Sequence, residues 1–241
     1  MTDSITISID GVEIPAETHH TILEAADKAG IYIPRLCAYP GLKPNGSCRV
    51  CTVLVNGRPQ TACTTPVMKG MVIQNETPEL KRLRSNLIEM LFVEGNHYCM
   101  FCEKSGNCEL QGMAYRLGIK TPHFPYLEPK REIDATHPDV LIDHNRCIFC
   151  GRCIQASKTF DGKNVFQYIG RTRNKKVGVN ADDGLGETDF AATDRAAQVC
   201  PVGAILKKRV GFKIPIGKRI YDRSPIGSEI EVQPKDAGSA Q

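Results

Sequence analysis

The chain has 241 residues, room for one large domain or two to three small ones, and its 41% hydrophobic and 24% charged content is that of an ordinary folded protein. Its 31 Lys and Arg are dispersed against 27 Asp and Glu, tryptophan is absent and aromatics reach only 6%, which argues against a nucleic-acid surface. The start "MTDSITISID" has neither the basic opening nor the apolar run of a leader, and no stretch approaches the roughly eighteen apolar residues of a membrane span, so a cytoplasmic location is expected. In that compartment cysteines read as metal or redox ligands, and an odd count of 11 also argues against a complete disulfide framework.

In chain order, "SITISIDGVEIPA" alternates Ile5, Ile7 and Ile9 with polar residues and then meets Asp10-Gly11, predicting a hairpin with a two-residue turn. "TILEAADKAG" predicts a helix with Thr21 and Glu24 as capping box and Gly30 as its stop. "CRVCTVLVNGR" reads as a strand ending at Asn56-Gly57, so the first sixty or so residues suggest a small α+β unit with a mixed sheet. A second unit opens at "TPELKRLRSNLIEMLFVEG", a helix capped by Thr77, with Pro78 in its first turn and an apolar stripe of Leu80, Leu83, Leu87, Ile88 and Leu91 expected to pack in a core. Leu110, Met113, Ala114 and Leu117 repeat the helical period, which puts "GNHYCMFCEKSGNCELQ" between two helices. A connecting stretch rich in proline, histidine and charge runs from Thr121 to Pro138. The third unit then holds "RCIFCGRC", a strand at "VFQYIG", a loop at "NADDGLGETD" and "VCPVGAI". The tail after Gly211, ending "PKDAGSAQ", is expected to wrap a surface or fray. These divisions place three units at 1–76, 77–130 and 131–241.

By spacing the cysteines fall into sets of four, three and four, with none left over. Cys147, Cys150, Cys153 and Cys200 form C-x2-C-x2-C with a distant C-P. One turning loop can aim three thiolates at three corners of a cubane, and the Cys200-Pro201 pair brings the fourth, which suits one four-iron cluster. Zinc sites use paired C-x2-C knuckles, and a third cysteine at the same interval is foreign to them. Cys37, Cys48, Cys51 and Cys63 lie around a glycine-rich loop that can turn backbone N–H groups toward sulfur, which suits a two-iron cluster, with zinc the alternative. The spacing C-x10-C-x2-C differs from the plant-type C-x4-C-x2-C. Cys99, Cys102 and Cys108 lack a fourth ligand. His97, two positions before Cys99, is the nearest candidate; a water, or a residue such as His19, His20, His123, His137 or His144 brought in by folding, is the alternative.

Together, "IPRLCAYPG", "GSCRVCTV", "EGNHYCMFCEKSGNCELQ", "DHNRCIFCGRC" and "CPVGAI" resemble the iron–sulfur portion shared by the NuoG-type subunit of complex I, some iron-only hydrogenases, and the small diaphorase subunit (HoxU type) of NAD-reducing nickel–iron hydrogenases. The resemblance spans roughly residues 3–220 and is greatest to the HoxU type, since one residue separates His97 from Cys99 where the complex I pattern has three. It implies an α+β chain: a β-grasp [2Fe-2S] ferredoxin domain, a small helical domain with a His/Cys3 [4Fe-4S] cluster on His97, Cys99, Cys102 and Cys108, and a ferredoxin-like [4Fe-4S] domain. It also implies a partner flavoprotein carrying FMN and the NAD site, and hydrogenase small and large subunits with the nickel–iron centre.

The expected function is electron transfer, with single electrons relayed through three clusters between flavin and hydrogenase. The sequence has no G-x-G-x-x-G and no G-x4-G-K-[ST], and "GLGETD" lacks the strand–turn–helix setting of a nucleotide loop, so NAD and hydrogen chemistry are expected on other chains. A zinc-stabilised structural module, an oxidoreductase with its substrate at an incomplete cluster, and the equivalent subunit of a formate dehydrogenase, complex I-like or bifurcating complex are the alternatives.

Overall fold

A computed structural model describes residues 4–231. The opening hairpin forms as the alternation predicts. Strands β1 (Ser4–Ile9) and β2 (Val12–Glu17) pair antiparallel with Ile7 opposite Ile14. They turn at Asp10 and Gly11, both at positive φ, as a type I′ turn requires. Helix α1 (Ile22–Lys28) carries the full Thr21–Glu24 capping box, and Gly30 follows in the left-handed region. Strands β3 (Thr52–Val55), β4 (Arg58–Thr61) and β5 (Val72–Gln74) complete a five-stranded sheet in the order β2-β1-β5-β3-β4, in which only the β1–β5 pairing is parallel. Ile7, Ile9, Ile14, Ile22, Leu23, Val53 and Ile73 bury one face of it beneath α1. This is the expected β-grasp arrangement. The strand read from "CRVC" starts later, at Thr52, because Arg49 takes a left-handed turn and bends Cys48–Cys51 into a loop.

Helix α2 (Pro78–Glu94) begins at its Thr77 cap and α3 (Glu109–Leu117) ends at left-handed Gly118. The two pack together and frame the cysteine-bearing loop. The stripe expected on α2 is only partly interior: Leu80 and Ile88 are buried, but Leu83 is 39% exposed. Arg84, unremarked in the sequence, is 2% exposed instead. It reaches back to the carbonyls of Val50, Thr52 and Asn75 and to Asn75 Oδ1, at 2.7–3.3 Å. The helix is thereby tied to the loop that leaves Cys51.

Strands β6 (Ile133–Asp134), β7 (Val140–Asp143) and, late in the chain, β10 (Ile205–Lys207) form a second antiparallel sheet. Between β7 and β10 come helix α4 (Arg152–Thr159), the hairpin β8 (Phe166–Ile169)–β9 (Lys176–Val179) and helix α5 (Arg195–Gln198). The loop "NADDGLGETD" contains a short 3-10 turn, Leu185–Glu187, and Leu185 is fully buried there. After Gly211 the chain wraps: helix α6 (Ile220–Arg223), Tyr221 and Ile226 pack against the core, and Arg116 bonds the Ile226 carbonyl and Glu231. The end of the tail, Pro234–Gln241, lies outside the described residues. A single core runs through α2, α3, β7, β8, α4 and α5 and includes Cys37, Cys108, Cys150 and Cys200.

Candidate metal centres

Cys37, Cys48, Cys51 and Cys63 converge at the edge of the β-grasp unit. Left-handed Gly46 and Arg49 curl the loop so that Cys48 Sγ comes within 3.3 Å of Cys37 Sγ. Cys48 and Cys63 both bond the Cys37 sulfur, and the Ser47 side chain and the Cys48 N–H add to it, which holds that thiol far below its ordinary range. Cys48 is pushed up by the same bond and Cys63 by its bonds to Cys37 and Cys51. Four sulfurs that compete for protons at such separations form a donor set for a cation, and the N–H groups turned toward them suit a thiolate cluster.

At the second set, Gly95 ends α2 and the chain doubles back so that the His97 ring lies over it; a Cβ on Gly95 would sit 2.4 Å from His97 Nε2. Phe92 meets the ring edge-on at 5.5 Å. Desolvation, then the charges of Arg146 and Arg131, lower its pKa to about 4, while a hydrogen bond to the Leu91 backbone opposes them. The imidazole is therefore neutral at pH 7, and Nε2 is buried with no hydrogen-bond partner. A neutral, buried ring nitrogen without a hydrogen-bond partner is free to serve as a metal ligand.

Cys99 opens a 3-10 turn that carries the chain to Cys102, and Cys108 stands at the N-cap of α3. Burial raises Cys108 to about 12, with the charges of Cys102 and Cys99 adding to it and the Gln111 and Leu110 N–H groups opposing. Gly203, from "CPVGAI", faces this site from the other unit: a Cβ there would lie 2.6 Å from Cys102 Sγ.

The third set surrounds a small cavity of about 20 Å³, whose walls include Cys147, Cys150, Cys153, Cys200, Phe166 and Val202. Left-handed Phe149 and Gly151 make the turns of C-x2-C-x2-C, Cys153 sits in the first turn of α4, and Cys200 follows α5. Burial raises Cys147 to about 12 and pushes Cys150 and Cys153 up as well. The backbone N–H groups of Phe149, Arg152 and Ile154 bond these three sulfurs and oppose the rise. Thiols in such a pocket stay protonated against water and release their protons to solvent only when a cation takes their place.

The eleven cysteines thus gather into three groups and His97 lies buried against Gly95, while His19, His20, His123, His137 and His144 make other contacts. His19 and His20 stand with Glu17, where Lys28 Nζ lies 3.2 Å from Glu17 Oε1 and 2.7 Å from His20 Nε2. Sequence reading missed the residues that join the groups. Asn45 Nδ2 donates to the Cys150 carbonyl at 3.2 Å, linking the first loop to the third. Asn96 bonds Asn145 through backbone (2.7 Å) and side chain (3.2 Å), linking the His97 loop to the turn before Cys147. Arg146 Nη1 lies 3.5 Å from Cys102 Sγ, and Arg152 is 3% exposed among the loops. Both arginines stand inside "RCIFCGRC", and a cation placed between ligands was the available signal.

Comparison with known proteins follows the same three-part order. Residues 2–78 match the model of the 2Fe-2S iron-sulfur cluster binding domain, 84–123 that of the NADH-ubiquinone oxidoreductase-G iron-sulfur binding region, and 140–206 that of the 4Fe-4S single cluster domain. These define an iron–sulfur protein of the kind built into multi-subunit oxidoreductases. Among relatives, the gamma subunit of the NAD-reducing hydrogenase HoxS of Cupriavidus necator is 39% identical over 220 residues, 91% of this chain and 94% of that one. The chain belongs to the family of that gamma subunit. A crystal structure of NAD+-reducing [NiFe]-hydrogenase in the H2-reduced state includes a chain that is 46% identical, with a TM-score of 0.91 over 94% of this chain and 97% of that one. The mitochondrial NADH-ubiquinone oxidoreductase 78 kDa subunit of Candida albicans is 30% identical over 87% of this chain, which spans 29% of its length.

Proposed function

We propose that the chain is the iron–sulfur electron-transfer subunit of the diaphorase module of an NAD-reducing hydrogenase. It relays single electrons between a partner nickel–iron hydrogenase, with its small and large subunits, and a partner flavoprotein that holds FMN and NAD. Cys37, Cys48, Cys51 and Cys63 hold one [2Fe-2S] cluster. His97, Cys99, Cys102 and Cys108 hold a [4Fe-4S] cluster, and Cys147, Cys150, Cys153 and Cys200 hold a second. The corresponding units are residues 1–76, 77–130 and 131–241. When bound, the clusters supply one-electron redox chemistry that divides a flavin's two-electron exchange into single steps.

The observation that carries this reading is the buried, unpartnered Nε2 of His97, two residues before Cys99, which supports His97 as the fourth ligand of a set of three cysteines. Within each set the chain's own groups hold thiolates, turn backbone N–H groups toward sulfur and exclude water. Assembly with other subunits is supported by the apolar surface beside Cys99, where Met100 is 86%, Phe101 73% and Ile216 84% exposed; a lone soluble domain rarely leaves such a patch uncovered. The hydrogenase reading is favoured over a complex I-like one by the higher identity to the gamma subunit, 39% against 30% for the 78 kDa relative, and by the near-complete coverage of the former.

The test is EPR of the anaerobically purified, reduced protein with His97→Cys and His97→Ala. One four-iron signal should change in both variants while the two-iron signal and the other four-iron signal persist. Unchanged spectra in both would remove His97 as a ligand.

A further inference from the structure

Arg152 lies where the three loops meet, and each partner of its guanidinium is one residue away from a cysteine of a different set or a different segment. Nη2 donates to the carbonyl of Ala38, which follows Cys37, at 2.9 Å. Nη1 and Nη2 grip both carboxylate oxygens of Glu109, which follows Cys108, at 2.6 and 2.8 Å. Nη1 also reaches the carbonyl of Val199, which precedes Cys200, at 3.4 Å. Arg152 itself precedes Cys153, and its backbone N–H bonds the Cys150 sulfur. The Glu109 N–H closes the same junction by donating to the Pro201 carbonyl at 2.8 Å, and Tyr39 lies against the guanidinium at 5.2 Å.

A buried ion pair is a poor source of stability, because desolvating two charges offsets most of their attraction and a well-packed apolar group often does as well. What a planar, bidentate guanidinium supplies that an apolar side chain does not is directional fixing of several backbones at once. The Arg152 Nε is buried without a partner, so the group is placed for the junction rather than for its own full satisfaction.

We propose that Arg152, with Glu109, is a positioning residue that sets the three cluster-bearing loops relative to one another and so fixes the separations across which electrons pass. The inference rests on the twelve-ligand reading above. Electron tunnelling falls steeply with distance, so a junction that loosens by a fraction of an ångström slows transfer without releasing any ligand.

The experiment uses the full chain purified anaerobically with its partner subunits, as wild type, Arg152→Lys and Glu109→Gln. Three quantities are read: iron per chain, the magnetic interaction between clusters in EPR of the fully reduced protein, and freeze-quenched reduction of each cluster after mixing with NADH. Iron content should stay at the wild-type value in Glu109→Gln, whose carboxylate is the more exposed partner. In both variants the inter-cluster splittings should weaken or broaden. Electron equilibration between clusters should be slower than in the wild type. Wild-type splittings and rates in an iron-replete variant overturn the proposal. Loss of iron from both variants also overturns it, assigning the pair to folding alone; if only Arg152→Lys loses iron, Glu109→Gln decides. A wild type that itself lacks iron instead removes the functional reading on which the proposal stands.

Discussion

At Cys102 the sulfur has a cation for a neighbour. Arg146 Nη1 lies 3.5 Å from Sγ while Nε holds Asp143 at 3.0 Å and Nη1 holds Glu103 at 3.2 Å, so the guanidinium is anchored from two sides. A cation beside a thiolate favours the more negative, reduced state of the centre that thiolate binds. Arg146→Gln is therefore expected to lower the midpoint potential of the centre proposed on His97, Cys99, Cys102 and Cys108. The size should be about tenfold in the reduction equilibrium, or ~59 mV for one electron, with the Cys37–Cys63 centre unmoved. Potentiometric EPR titration reads both, and an unaltered midpoint at the centre that includes Cys102 would sink the assignment. The grouping of the cysteines was legible because their spacing is a local property of sequence. The roles of Arg146 and Arg152 were not, because they depend on partners 43 to 114 residues away.

Among the elements, the hairpin turn at Asp10-Gly11 and the caps at Thr21 and Thr77 form as read, since turn and cap chemistry acts within four residues. Helix α2 shows where such reading stops. Periodicity marked Leu80, Leu83, Leu87, Ile88 and Leu91 as one face, but which part of a face is covered depends on what packs there. Ile88 is fully buried and Leu83 is 39% exposed, while the interior also takes Arg84 because three backbone carbonyls from residues 50–75 converge on it. Ile88→Ala should cost ~2–5 kcal/mol by leaving a cavity in the shared core. Leu83→Ala should cost less than about 1 kcal/mol. Denaturant unfolding followed by far-UV circular dichroism distinguishes them, and equal losses would contradict this account of the helix face.

For the molecule as a whole, the β-grasp sheet has its own apolar core, whereas α2, α3, β7, β8, α4 and α5 share one core with cysteines of all three sets among its members. The three-part order was readable from the partition of the cysteines. The shared core and the links from Asn45 to Cys150 and from Asn96 to Asn145 were not, because they join loops distant in sequence. Loops that carry ligands contribute little apolar burial of their own, so folding of the shared core and metal loading should be coupled. Iron removal by an anaerobic chelator should cost that core its cooperative unfolding transition while leaving much of the β-sheet signal of residues 4–74. Among the described residues no helix is long and apolar enough to cross a membrane.

The central claim is that twelve side chains hold three iron–sulfur clusters. The measurement that tests it most directly is iron, zinc and acid-labile sulfide per chain on protein purified without oxygen. About ten irons and about ten sulfides are predicted, from one two-iron and two four-iron clusters, with negligible zinc. Zinc in place of iron, or iron without sulfide, would contradict it.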